Sequence, residues 1–381
     1  MGTIECHSSA AKKNIHHHQQ QTASTMVSLL LLVFSIIQFP ICSGTMNIPT
    51  KEIAPGVDMP VVSIGAGGLE MENAKTIVGN WLSLGGKGID TALHYYNQAE
   101  IKAAIEESGL SRKDLFLTTK IPNCQVENLA ADVQTDLDLL GTDYLDLLLI
   151  HGPRKGDCAL AWKEMEQVYE RNQARSIGVS NFKREHLESI LSNATIVPHV
   201  NQIQLNILQN NPDTIEFSTK HGIMVEAYSP LGRANHSGDI SGNVVIQEIA
   251  KRHKVTTYQI AIKWILQHNW ILTFQSSSKE HQAVDADVFD FTLTYTEMQQ
   301  LDWLSGLGEL NLNSARDDET SNLALAFAVS ASLGLMIGIV IIWQRSGKYH
   351  RVNADDHTIS DLQMNRMEKL DRHKTKVSSQ F

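Results

Sequence analysis

Residues 145–153 read Leu-Asp-Leu-Leu-Leu-Ile-His-Gly-Pro, a short apolar run that stops at a histidine and a turn. A run of this length with apolar residues at successive positions is typical of a strand in a parallel sheet whose faces are covered. Seven comparable runs lie on either side of residues 145–150. They are residues 61–65, 88–91, 115–119, 176–180, 200–204, 223–227 and 271–274.

Stretches with helical periodicity separate these runs. Apolar residues recur at intervals of three or four in residues 97–108, 128–140, 164–168, 187–191 and 256–267. Strands that alternate with helices form βαβ units. Eight such units between about residues 58 and 305 predict a closed (β/α)8 TIM barrel, a fold of about 250 residues.

An open, doubly wound α/β sheet is the alternative architecture. That fold binds dinucleotides at a G-x-G-x-x-G turn directly after a strand. The nearest match is Gly65-Ala66-Gly67-Gly68, where position 70 is a glutamate. The sequence therefore favours the barrel.

Composition excludes several classes of protein. The 381 residues include 32 Lys and Arg against 42 Asp and Glu, a formal charge of −10 that argues against a nucleic-acid partner. A hydrophobic content of 42% is too high for a disordered chain. Four cysteines are too few for a fold that depends on disulfides.

An uncharged apolar segment near the carboxyl end predicts a membrane-spanning helix. Residues 323–343 contain no charged side chain, and 21 residues at about 1.5 Å each are long enough for a hydrocarbon core of about 30 Å. Arg345, Lys348 and Arg351 follow it, so the positive-inside rule places the tail in the cytosol. Small residues at positions 326, 330, 334 and 338 would let two such helices form a homodimer, although small residues are common in membrane spans.

A second uncharged segment, residues 26–42, lies near the amino end and is followed by Ser43 and Gly44. This pattern predicts a signal peptide, with a signal anchor as the alternative. Both place the barrel in a lumen or outside the cell, where sequons at Asn193 and Asn235 become glycosylation candidates. A start at Met46 would instead give a cytosolic form. The predicted organisation is a leader (1–45), a barrel (46–312), a linker (313–322), a transmembrane helix (323–343) and a cytosolic tail (344–381).

Charged or polar residues end three neighbouring strands of the predicted barrel. They are Asp90, Lys120 and His151, and Tyr95 follows five residues after Asp90. Active sites of these barrels lie at the carboxyl ends of the strands. A lysine ammonium lowers the pKa of a nearby tyrosine, a carboxylate holds the lysine, and a histidine aligns a carbonyl. The four residues therefore predict proton donation from Tyr95 to a carbonyl oxygen.

In six segments the sequence resembles the aldo-keto reductases. The matching segments cover roughly residues 47–305. They are Gly88-Ile-Asp-Thr-Ala with Tyr95 and Asn97, Thr119-Lys120, Leu149-Ile-His-Gly-Pro153, Ile177-Gly-Val-Ser-Asn-Phe182, Val200-Asn-Gln-Ile203 and Ala227-Tyr-Ser-Pro-Leu-Gly232.

The resemblance implies that a small aldehyde or ketone is reduced by hydride from NADPH while Tyr95 protonates the oxygen. It implies that Ser180, Asn181 and Gln202 hold the nicotinamide carboxamide and that Tyr228 stacks on the ring. It also assigns cofactor contacts to Ser229, Leu231, Gln275 and Ser276. Some members serve as subunits of membrane complexes, so a cofactor-sensing or regulatory barrel is the alternative function.

The segment expected to bind the 2′-phosphate of NADPH departs from the family pattern. Gln275 replaces the lysine of a Pro-Lys-Ser segment, His281 stands in the place of an arginine, and Asp285 in the place of an asparagine. Weakened NADPH binding, a switch to NADH, and a decayed site are the three interpretations, with Lys279 as a partial replacement for the lost charge. The resemblance favours NADP(H) slightly, with NAD(H) as the alternative.

Two further departures concern the entrance to the site. Gly67 and Gly152 occupy places where the family usually has aromatic residues, which predicts a wider and less apolar mouth. Cys124 and Cys158 fall in two loops at the same end of the barrel. They can pair only if their Cα atoms lie within about 7 Å, and two unpaired thiols is the favoured interpretation.

Overall fold

A computed structural model describes residues 46–68, 71–232 and 237–307. The predicted leader, linker, transmembrane helix and tail lie outside the described residues, as does the sequon at Asn235. Within the described ranges, no helix is both long enough and apolar enough to cross a membrane.

Eight of the described strands form a closed parallel barrel in which β10 pairs with both β3 and β9. The strands are β1 (Thr50–Ala54), β2 (Val57–Pro60), β3 (Val62–Gly65), β4 (Gly88–Asp90), β5 (Phe116–Ile121), β6 (Leu147–Ile150), β7 (Ile177–Ser180), β8 (Val200–Gln204), β9 (Met224–Tyr228) and β10 (Ile271–Phe274). β3–β10 are the eight predicted runs, with ends displaced by no more than two residues. The barrel prediction is therefore confirmed, and the closed ring excludes the open sheet.

Helices surround the barrel in the alternation that the sequence predicts. The described helices are α1 (Met71–Ser83), α2 (Gln98–Ser108), α3 (Val126–Leu140), α4 (Cys158–Glu170), α5 (Arg184–Leu191), α6 (Pro212–Lys220), α7 (Ser237–Gly242), α8 (Val244–His253), α9 (Thr257–Gln267), α10 (Lys279–Ala286) and α11 (Tyr295–Ser305).

Several helix ends are set by local side-chain chemistry. Thr256 and Gln259 form a capping box that starts α9, because each side chain satisfies a backbone N–H at the other residue. Asp157 caps α4 by accepting from the N–H groups of Ala159 and Leu160. Gly141 ends α3 in the left-handed conformation that glycine adopts without strain.

The β1–β2 hairpin packs across the amino-terminal end of the barrel. Met59 of β2 is fully buried, and its apolar cluster includes Phe116, Leu147 and Ile271, each the first residue of a barrel strand. Burial of this apolar surface stabilises the hairpin on the barrel. The carboxyl end, where the predicted site residues lie, remains the end available to a ligand.

Close approach between β7 and β8 requires a glycine. A Cβ at Gly178 would lie 2.4 Å from the Val200 carbonyl oxygen and 2.8 Å from Leu149 Cδ2. Gly79, within α1, has no atom within 4 Å of an added Cβ.

We expect Gly178→Ala to lower the free energy of unfolding by about 3 kcal/mol, because backbone and core atoms must move to admit the methyl group. Gly79→Ala is the matched control, and alanine in a helix interior should raise stability by about 0.5–1 kcal/mol. Denaturant unfolding followed by tryptophan fluorescence measures both variants. Equal stability of the two would contradict the packing described for the barrel wall.

Candidate active site

The structure brings the four predicted catalytic residues together at the carboxyl end of the barrel. Asp90 is the last residue of β4, Lys120 lies in β5, and His151 directly follows β6. Tyr95 ends a 3-10 turn that runs from Leu93 to Tyr95. Strand register explains the convergence of the first two, since Asp90 of β4 lies opposite Thr118 of β5.

A buried ion pair forms the centre of this group. Lys120 Nζ donates to Asp90 Oδ1 at 2.7 Å, to Asp90 Oδ2 at 2.8 Å and to the Thr91 carbonyl oxygen at 2.9 Å. The Lys120 side chain is only 1% exposed. Burial lowers the pKa of Lys120, but the charge and hydrogen bonds of Asp90, together with Tyr95 and Glu226, outweigh it and the net pKa is raised. Lys120 is therefore a fixed cation at neutral pH.

The Tyr95 phenol holds its proton near neutral pH. Burial, together with the charge of Asp90, raises the pKa of Tyr95 more than the charge and hydrogen bond of Lys120 lower it, so the net shift is upward. The expectation that the lysine would bring this pKa below its usual value is therefore wrong for the resting site. The Lys120 ammonium, 5.3 Å from the Tyr95 ring centre, still favours the phenolate that forms once the proton has left.

His151 faces the ring of Tyr95. The two ring centres are 5.5 Å apart and their planes are nearly perpendicular. Burial, helped by the charge of Lys120, lowers the pKa of His151 to about 4. The imidazole is therefore neutral near pH 7 and carries one N–H that can donate to a carbonyl oxygen.

A groove of about 800 Å³ opens beside these residues. Asp90 and Tyr95 line it, together with six of the residues predicted to bind the cofactor: Gln202, Tyr228, Ser229, Leu231, Gln275 and Ser276. This volume lies within the range of cofactor sites, which are about 300–1,000 Å³.

The other two predicted cofactor residues support the wall next to the groove. Ser180 Oγ donates to the Gln202 carbonyl oxygen at 3.0 Å. The Asn181 side chain donates to the His151 carbonyl oxygen at 2.9 Å and accepts from the Tyr228 hydroxyl at 2.8 Å. Asn181 and Ser229 both have left-handed backbone conformations, with φ of 62° and 52°. Such conformations cost energy in non-glycine residues and cluster at functional sites.

Gln202 has a contact that the sequence does not predict. Its Nε2 donates to Asp90 Oδ2 at 2.7 Å, so this amide also restrains the carboxylate of the buried ion pair. A carboxamide ligand would therefore have to share or replace this contact.

The far end of the groove contains little positive charge. Gln275, Ser276, His281 and Asp285 line it, and none of the described lining residues is a lysine or an arginine. Lys279 is exposed at the start of α10 and is not part of the lining. Burial raises the pKa of Asp285 to about 6, partly offset by His281, so the carboxylate is mostly ionised at neutral pH.

Sequence reasoning missed one acidic group beneath the site. Glu226 of β9 is completely buried, and burial next to the charge of Asp90 raises its pKa to about 8. The carboxyl group is therefore mostly protonated at neutral pH. The sequence does contain a signal for Glu226, because an apolar run such as residues 223–227 is a costly environment for the charge of a glutamate.

The two cysteines of this face are paired. A disulfide joins Cys124 to Cys158, with the Cα atoms 4.8 Å apart. The favoured interpretation of two unpaired thiols is therefore wrong. The sequence could not settle the point, because the distance depends on how two loops from neighbouring strands meet.

Comparison with known proteins agrees with this geometry. A model of the Aldo/keto reductase family matches residues 40–305, about two thirds of the chain. The chain belongs to the aldo/keto reductase family. The chain is therefore an NAD(P)H-dependent carbonyl reductase.

Individual relatives cover the same region. A glyoxal reductase of Bacillus subtilis is 36% identical over 260 residues, which is 67% of this chain and 92% of the relative. A 9,11-endoperoxide prostaglandin H2 reductase of Trypanosoma cruzi is 37% identical over 256 residues, 65% of this chain and 89% of the relative. The solved aldo/keto reductase structure from Brucella melitensis is 32% identical with a TM-score of 0.64, covering 68% of this chain and 100% of that one.

Proposed function

We propose that this protein reduces a small aldehyde or ketone to an alcohol, with Tyr95 as the proton donor. The observation that carries the proposal is the Lys120 ammonium, which Asp90 fixes beside a protonated Tyr95. A general acid must hold its proton until the transition state and release it to the developing oxyanion. Tyr95 meets the first requirement and Lys120 the second.

Each residue of the site then has a defined task. A bound reduced nicotinamide supplies the hydride that adds to the carbonyl carbon. His151, neutral near pH 7, donates a hydrogen bond to the carbonyl oxygen and orients it towards the Tyr95 hydroxyl. The proton passes from Tyr95 Oη to that oxygen, and Lys120 stabilises the phenolate that remains.

The entrance favours small polar carbonyl compounds as the first substrates to test. An added Cβ at Gly67 would lie 3.0 Å from Tyr95 Cζ, so the missing side chain leaves the acid open to a substrate. Glyoxal reduction by a relative that is 36% identical makes glyoxal a sensible starting compound.

We expect Tyr95→Phe to lower kcat by at least about 100-fold, because general acid catalysis contributes about 10²–10⁴-fold. Steady-state reduction of glyoxal and of an aromatic aldehyde measures turnover, and quenching of tryptophan fluorescence measures cofactor binding, which should be unchanged. Tyr96→Phe is the matched control, since Tyr96 is adjacent but 71% exposed. Full turnover by Tyr95→Phe would exclude this mechanism.

The same measurements address the alternative function. A wild-type protein that binds cofactor but turns over no carbonyl compound would favour a cofactor-sensing or regulatory barrel. The presence of all four residues Asp90, Tyr95, Lys120 and His151, here called the tetrad, supports the enzyme instead, because their buried ion pair has a clear use in proton transfer.

We further propose that NADH binds at least as tightly as NADPH. The family resemblance slightly favours NADP(H), but a 2′-phosphate would lie among Gln275, His281 and Asp285, where the described groove offers no lysine or arginine. Phosphate recognition depends on charge-assisted hydrogen bonds, above all from arginine. A carboxylate such as Asp285 is suited to a ribose hydroxyl, as in other NAD sites.

His281→Arg should increase NADPH affinity by about tenfold, because one charge-assisted hydrogen bond contributes about 1.5–3 kcal/mol, and should leave NADH affinity unchanged. Separate fluorescence titrations with the two cofactors measure this. Asp287→Asn, at the opposite end of α10 and outside the groove lining, controls for general charge effects. Wild-type binding of NADPH much tighter than NADH would overturn the proposed preference.

For location, we propose a single-pass membrane protein whose barrel faces a lumen or the cell exterior. The uncharged segments at residues 26–42 and 323–343 support it, with the small-residue stripe of the second as a candidate dimer contact. The Cys124–Cys158 disulfide adds support, because such bonds persist mainly in oxidising compartments.

Asn193 provides the test of this location. Its side chain is exposed after α5, within the sequon Asn193-Ala194-Thr195. We expect the chain from eukaryotic cells to migrate faster on a gel after endoglycosidase treatment. The Asn193→Gln variant should show a smaller change in migration, because it lacks the glycan at position 193. Asn235→Gln separates the contribution of the second sequon. A full chain without glycan and with reduced cysteines would point to the cytosol.

A further inference from the structure

Two loops at the carboxyl end of the barrel continue from the two strands that supply Lys120 and His151. Residues 122–125 follow β5 and lead into α3. Residues 151–157 follow β6, begin with His151 itself and lead into α4. We refer to them as the lysine-side loop and the histidine-side loop.

Several contacts hold the histidine-side loop against the lysine-side loop. The Cys124 N–H donates to the Arg154 carbonyl oxygen at 3.0 Å. The Cys124 sulfur lies 3.9 Å from the carbonyl oxygen of Gly152, the residue after His151. Gly156, with φ of +88°, approaches so closely that an added Cβ would be 2.2 Å from the Cys124 carbonyl oxygen. The disulfide to Cys158 closes this set of contacts at the start of α4.

The histidine-side loop has few other described restraints. Arg154, Lys155, Gly156 and Asp157 are all exposed. At its first residue, the His151 N–H donates to the Ile121 carbonyl oxygen at 2.9 Å and the His151 carbonyl accepts from Asn181. Between that residue and α4, the described hydrogen bonds that reach beyond the loop and α4 go to Cys124, which is itself fully buried.

We infer that the Cys124–Cys158 disulfide is a positioning element of the active site, which holds the loop that begins at His151 and thereby fixes the imidazole that orients the carbonyl. This inference rests on the proposed carbonyl reduction. A displacement of about 1 Å in a positioning group can cost as much as about 100-fold in rate. The cofactor groove does not include either cysteine, so cofactor affinity should not depend on the bond.

The bond can be broken in two independent ways. A dithiol such as dithiothreitol reduces it, giving two cysteine thiols while the reagent is oxidised to its cyclic disulfide. The double variant Cys124→Ser/Cys158→Ser removes it permanently. The double variant with added dithiothreitol controls for effects of the reagent elsewhere in the chain.

The test compares oxidised wild type, reduced wild type and the double variant of the full chain, well below their unfolding temperatures. Turnover of glyoxal is expressed per cofactor-binding site, determined by fluorescence titration, so that unfolded protein does not count. We expect kcat per site to fall about tenfold in both bond-free forms, with cofactor Kd changed less than twofold. Reoxidation of the reduced wild type should restore kcat. The fall should appear in kcat more than in KM, because His151 acts on the oxygen as charge develops.

Hydrogen exchange provides a readout that does not require turnover. The His151 N–H and the Cys124 N–H should exchange faster in both bond-free forms, while amides of β8 and β9 should not change. Unchanged exchange at these two amides, or an unchanged kcat per site, would overturn the inference. If the oxidised wild type reduces no carbonyl compound, the proposed function fails, and the exchange measurement alone then decides whether the bond positions His151.

Discussion

The buried ion pair between Lys120 and Asp90 is the constraint on which the rest of the site depends. Removing two charges from water is costly, and an isolated partner would leave an uncompensated charge in the barrel. Four short hydrogen bonds offset this cost: Lys120 donates to both Asp90 oxygens and to the Thr91 carbonyl oxygen, and Gln202 donates to Asp90 Oδ2. The pair can form only if β4 and β5 keep their register, so the fold and the chemistry depend on the same strand alignment.

The segment that carries Tyr95 is anchored to the same place. Thr91, whose carbonyl accepts from Lys120, also donates its hydroxyl to Asn97 Oδ1 at 3.0 Å. Asn97 in turn donates to the Ala66 carbonyl at 2.9 Å. Tyr95 lies between Thr91 and Asn97 in the chain, so these hydrogen bonds link its position to the ion pair, while its side chain stays partly open to the groove.

The sequence predicted the parts of this protein that depend on local pattern. The eight barrel strands could be found because each is an apolar run between helical segments, and residues 200–204 and 271–274 were predicted with their observed ends. The β1–β2 hairpin was missed, because its strands are only five and four residues long and mix exposed with buried residues on either side of a turn. The residues of the tetrad could be identified, since three of them end apolar runs.

The sequence could not show which of two opposing physical effects is the larger, or how far apart two loops lie. The pKa of Tyr95 depends on whether burial or the charge of Lys120 is the larger influence, and only the position of the ring in the mouth decides that. The pairing of Cys124 with Cys158 likewise depends on a distance between two loops that no spacing encodes. Both errors arose where long-range geometry, rather than residue type, determines the chemistry.

The protonated state of Glu226 completes the charge balance around the acid. Asp90 and Lys120 cancel one another, and a neutral Glu226 adds no charge, so these three groups together carry little net charge while Tyr95 holds its proton. In the proposed mechanism, the phenolate left by proton transfer would face Lys120 without competition from an ionised Glu226. An ionised Glu226 would instead place a second anion on the same lysine and disfavour release of the proton. Burial of this glutamate therefore fits the proposed proton donation by Tyr95, because it keeps the attraction of Lys120 available for a phenolate.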